Sequence, residues 1–98
     1  MTKFVREMGC TPEDLVRWLP QDLGDLYPHS NLVIDGRSLL VAKNPQLHIM
    51  GSIKPARKIA LLHIPVLDLR LEFAENWTSN QCEAALKRFD LYTRRGGG

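Results

Sequence analysis

Residues 58–73, KIALLHIPVLDLRLEF, constrain the fold more than any other part of the chain. The odd positions (Ile59, Leu61, His63, Pro65, Leu67, Leu69, Leu71 and Phe73) hold one phase and are almost all apolar. The even positions change character half-way. Ala60, Leu62, Ile64 and Val66 are apolar, whereas Asp68, Arg70 and Glu72 are charged. A period of two is the signature of a β-strand, whose side chains alternate between faces. The pattern predicts a first half buried on both faces and a second half buried on one. Pro65 cannot donate a ladder hydrogen bond, so two linked strands are expected, over 58–64 and 66–73, with a bend, bulge or edge between them.

Upstream, residues 1–10 are mixed and fit either a short strand or an irregular lead. Thr11-Pro12-Glu13-Asp14 starts a helix, with a capping threonine, a proline at the first helical position and two acids at the positive end. Leu15, Val16, Trp18 and Leu19 give it an apolar side, and Pro20 ends or kinks it. Residues 21–30 read as a loop. Across 31–43, Leu32-Val33-Ile34 and Leu39-Leu40-Val41 flank Asp35-Gly36, the pair a type I′ hairpin turn prefers. Asn44-Pro45 marks the next connection, and 46–53 is a third strand.

Lys54-Pro55-Ala56-Arg57 carries proline at the second position of a type I turn. A hairpin closed there places Ile53 opposite Lys58, Met50 opposite Leu61 and His48 opposite His63. On that register Leu47, Ile49, Ile53, Ala60, Leu62 and Ile64 share one face. Downstream, Thr78 and Gln81 form a capping box, and Cys82, Ala85, Leu86 and Phe89 follow at helical spacing, which predicts a helix from Ser79 to Tyr92 or Thr93. The expected fold is α+β, in the order α-β-β-β-β-α. An antiparallel sheet of about four strands, in two consecutive hairpins, carries an N-terminal and a C-terminal helix.

A chain of 98 residues with 44% hydrophobic content suits one domain, read as 1–95 with a flexible glycine tail at 96–98. A net charge of +2 is low for a dedicated nucleic-acid binder. No run approaches the roughly 18 apolar residues of a membrane span, and the start shows no secretory signal. Two cysteines, Cys10 and Cys82, do not make a disulfide scaffold, and with no signal they point to a cytoplasmic setting. No membrane partner and no cofactor are expected.

Five features are candidates for chemistry. His48 and His63 would put two imidazoles on one sheet face, but a zinc site needs three or four ligands and no further spacing supplies them. Hydrogen-bonded histidines are the simpler reading. Cys10 precedes the helix start, where a thiolate would be stabilised, yet no base is marked for it; packing explains it better. Lys54, Arg57 and Lys58 form a basic turn over 54–58 that would suit RNA, although aliphatics rather than aromatics accompany it. Arg94-Arg95-Gly96-Gly97-Gly98 ends in a glycine pair after arginine, which resembles the tail of ubiquitin-like and sulfur-carrier proteins. That resemblance implies an end that threads into an activating enzyme and is adenylated at its last glycine. It covers only the last residues, and those families place the tail after a strand whereas here it follows a helix.

The apolar face of Leu47, Ile49, Ile53, Leu62 and Ile64 weighs most, because contiguous apolar patches mark interaction sites. The competing reading covers such a face with the first helix through Leu15 and Trp18. The sequence thus predicts a small non-enzymatic interaction domain whose partner is another protein or a second copy of the chain. An RNA-binding or translation-associated domain using 54–58 is the alternative, and a carrier using Gly97 and Gly98 the third.

Overall fold

The computed structural model describes residues 2–93, and the glycine tail with Gly97 and Gly98 lies outside them. The first helix, α1 (Pro12–Leu23), starts as its sequence dictates. Thr11 Oγ1 accepts from the Asp14 N–H at 3.2 Å, and the Asp14 carboxylate accepts from the Thr11 N–H at 3.3 Å. Pro20 does not end it. The ring sits on the exposed side, and the helix runs on to Leu23 before Gly24, at φ 57°, turns the chain into a 3₁₀ segment, Gly24–His29. The last helix, α2 (Ser79–Thr93), has the expected span, and the Thr78–Gln81 capping box is formed.

Five strands make one sheet: β1 (Thr2–Met8), β2 (Ser30–Ile34), β3 (Arg37–Leu40), β4 (Leu47–Ile59) and β5 (Leu62–Phe73), in the spatial order β1-β5-β4-β2-β3. The class is α+β as expected. The sheet has one strand more than expected, however, and it is mixed, because β2 and β4 run parallel. The β2–β3 hairpin turns at Asp35 and Gly36, both with positive φ as a type I′ turn requires. The chain then returns past β2 instead of extending from β3. Asn31 Oδ1 accepts from the Ala42 N–H, and the His29 carbonyl accepts from the Gln46 N–H at 2.7 Å, which lays β4 along the far side of β2.

The β4–β5 hairpin corrects the expected register. It does not close at Lys54–Arg57, because β4 continues to Ile59 and the turn is Ala60-Leu61. His48 therefore faces Glu72, not His63. The partner moves by nine residues (72 − 63), an odd number, so side chains expected on one face part company. Leu47 and Ile49 are buried with Leu67, Leu69, Leu71 and Phe73, while Leu62 and Ile64 belong to the opposite face. The two prolines meet at one level. Pro55 and Ala56 bulge opposite Pro65, and the strand continues through without splitting.

Both helices pack on one side of the sheet, where Leu15, Leu19, Leu23, Cys82, Leu86 and Phe89 meet Leu32, Ile34, Leu47, Ile49 and the odd positions of 67–73. The second half of the founding segment is thus buried on one face, as its alternation predicts. The first half is not buried on both faces; it leaves the domain. No helix among the described residues is long and apolar enough to cross a membrane.

Candidate functional site

The sheet's inner strands are longer than their neighbours. β1 stops opposite Leu67, and β2 stops opposite Gly51. Beyond Ile53 and Leu67, β4 and β5 go on alone as a two-stranded arm that ends at Ala60 and Leu61. The molecule is correspondingly elongated, 46 × 25 × 21 Å. Ala60 takes a φ of 54°, a left-handed conformation uncommon outside glycine, and so holds the tip in a two-residue turn. Leu61 is 96% exposed and Leu62 65%, with Ile59 and Ile53 also exposed. A lone two-stranded ribbon is only marginally stable in water, and this one carries aliphatic side chains along one face and at its tip.

The arm is also one-signed. Residues 53–66 contain Lys54, Arg57 and Lys58 and no acid. Those three cations do not form a turn, as 54–58 was expected to. Lys54 and Arg57 lie on the face away from the helices, level with Val66 and Ile64, and Lys58 lies on the other face, level with His63. Arg57 reaches across β5 to pair with Glu7 of β1, closing one side of a concavity of about 310 Å³ lined by Ile59, Ile64 and Val66.

The second element of the site is the sheet face opposite the helices. Lys3, Val5 and Glu7 of β1 stand level with Glu72, Arg70 and Asp68 of β5, which stand level with His48, Met50 and Ser52 of β4. Val5 is 70% exposed, and with Met50 and Asp68 it lines a shallow concavity of about 300 Å³. Lys3 and Arg70 both approach Glu72, at 3.5 and 3.9 Å. Among the described residues, Asp68 has no ion-pair partner.

The predicted site residues fare differently. Ile53, Leu62 and Ile64 lie on the arm or at its root, whereas Leu47 and Ile49 are core. His48 and His63 are not brought together; Asn31 Nδ2 lies 3.4 Å from His48 Nδ1, and His63 is out on the arm. No group of three or more His, Cys, Asp or Glu able to hold a metal ion occurs among the described residues. Cys10 is buried, and burial, with Asp14 and Asp22 nearby, pushes its thiol up to about 11, the reverse of an activated nucleophile. Phe4 meets Phe73 edge-to-face and Phe73 meets Trp77 at a tilt, with centroid separations of 6.0 and 5.3 Å, on the core side, so these rings give the open face no aromatic platform for bases. Val5, Met50 and Asp68 escape a sequence reading because the β1–β5 pairing that assembles them is long-range. No protein-family model, no curated protein and no solved structure matches this chain.

Proposed function

We propose that this chain is a non-enzymatic interaction domain that binds another protein through the β4–β5 arm. One observation carries the reading: residues 59–66 have the double-sided apolar pattern of a buried strand, and the fold leaves much of that pattern in water. Covering the side chains of Ile59, Leu61 and Leu62 is worth about 1.5–3 kcal/mol each, enough for reversible association once ordering costs are met. A photo-crosslinking residue at position 61, introduced in the organism's own cells, should form a protein adduct. The same residue at the exposed Leu91 of α2 serves as the control. No adduct at 61, or equal adducts at both positions, sinks the proposal.

A second reading is binding of RNA, supported by three cations without an acid over 53–66. It requires affinity that falls steeply with salt and a loss on Lys58→Glu. A nucleic-acid adduct at position 61 would put it first.

A further inference from the structure

We propose that the arm's partner is a second copy of this chain: each arm lies across the open sheet face of the other copy, about a two-fold axis at the arm's root. This deepens the arm-docking proposal and rests on it.

Geometry supplies the first argument. The arm prolongs β4 and β5 beyond the ends of β1 and β2, and Ile59, Leu61 and Leu62 stay exposed on it, so its own chain leaves them uncovered. A two-fold axis crossing the strands between Ile53/Leu67 and Lys54/Val66 turns each arm over the other molecule's sheet. Such self-complementary pairing closes after two copies. The lengths agree. From the axis inwards, β4 spans 47–53; outwards it spans 54–59 plus the turn, and at about 3.3 Å per residue each stretch covers roughly 20 Å.

The side chains then interleave. Counted from the axis, the arm presents to the open side its first, third and fifth levels: Lys54 with Val66, Arg57 with Ile64, and Ile59 with Leu62. The sheet presents its second, fourth and sixth levels: Ser52 with Asp68, Met50 with Arg70, and His48 with Glu72. Ridges of one copy meet furrows of the other.

Chemistry gives the third argument. Ile59 comes down between Met50 and His48 of the second copy, and Leu62 between the aliphatic stems of Arg70 and Glu72, next to Val5 on the neighbouring strand. Lys54, which has no ion-pair partner among the described residues, comes down beside Asp68, an open-face acid that has none either, and Arg57, held by Glu7 of its own chain, lies on the far side of it. Charge complementarity of this kind fixes register. One contact thus covers the arm and the open face together.

Sedimentation velocity on the untagged full chain, from low micromolar to several hundred micromolar, tests this. A monomer–dimer equilibrium is expected. Leu62→Asp should abolish the dimer while leaving the circular dichroism and melting temperature of the monomer unchanged, because Leu62 is exposed. Lys54→Glu and Asp68→Lys should each weaken the dimer about tenfold, and the double variant should recover it. A dimer indifferent to all three substitutions overturns this geometry. A monomer at every concentration, combined with a protein adduct at position 61 of a different mass, overturns self-docking and leaves the arm reading standing. A monomer with no adduct overturns both.

Discussion

Thr93 at the end of α2 reaches Asp22 on α1, with 2.6 Å between Oγ1 and Oδ2, and both side chains are buried. The same hydroxyl lies 2.5 Å from the Phe89 carbonyl, and one hydroxyl proton cannot serve two acceptors. In the ionised form the Asp22 carboxylate competes with the Phe89 carbonyl for that proton; once protonated, Asp22 can donate to Thr93 and leave the Thr93 proton to Phe89. Asp22 is raised from 3.8 to about 6, chiefly because burial disfavours its charged form; the Thr93 contact and Arg88 offset part of this.

Between pH 3.8 and about 6, folding therefore takes up a proton at Asp22. The stabilisation is complete below 3.8 and is lost as pH rises through about 6, a loss of about 3 kcal/mol. Urea unfolding midpoints should fall over that window in the native chain and stay level in Asp22→Asn. Parallel profiles for the two proteins would count against this assignment.

Gly51 has no room for a side chain. A Cβ there would stand 2.6 Å from Ile34 Cδ1 and 2.7 Å from Leu69 Cδ2, with the Asp68 carbonyl at 3.1 Å. Gly51→Ala should cost about 1–3 kcal/mol in urea unfolding. A change near zero would mean that the β2–β4–β5 packing yields more readily than its contacts imply.

Arg6 on β1 forks onto Asp90 of α2, Nε to Oδ1 at 3.0 Å and Nη2 to Oδ2 at 3.1 Å. The pair ties the edge strand to the helix layer. With both side chains about one-third exposed, a double-mutant cycle of Arg6→Ala and Asp90→Ala should return a coupling of about 1 kcal/mol that shrinks at high salt.

Removing the arm should spare the body. Replacing 55–65 with Asn-Gly, so that Lys54 and Val66 flank a two-residue turn, discards mostly exposed or half-buried side chains and one surface ion pair, Arg57–Glu7. The shortened chain should keep its cooperative melt, within about 1 kcal/mol of the native stability, and lose self-association. A body that no longer folds would show that the arm belongs to the core.

What the sequence displayed plainly was local. Asp35-Gly36 set a turn and Thr11 with Asp14 set a helix start, because each signal and its effect lie within four residues. The β4–β5 turn was hidden, since Ala60-Leu61 carries no turn residue while Lys54-Pro55-Ala56-Arg57 does. Two prolines at one level of a ribbon spoil fewer ladder bonds than prolines at separate levels, and the true register uses that economy. β1 was illegible for another reason: Phe4, Arg6 and Met8 find their places against Leu71, Asp90 and Leu67, far away in sequence. The expected face was split by the register: Leu62 and Ile64 lie on the arm with Ile53 at its root, whereas Leu47 and Ile49 are core. The gathering of Val5, Met50 and Asp68 on the open face depends on that remote pairing.

The pairing of Thr2 with Phe73 also orders events in time. A chain growing from its N-terminus makes β1 first, yet the strand it needs is among the last parts of the sheet to emerge. The β2–β3 hairpin and its parallel neighbour β4 can assemble earlier, but their apolar face lacks α2 and one edge of β4 stays unmet. Completion waits for β5, whose arrival closes two edges in one step. Such dependence on distant contacts slows folding, and it exposes strand edges to other nascent chains in the interval. Pauses in translation just after the arm would lengthen that interval, and synonymous codons there would affect yield without altering the protein.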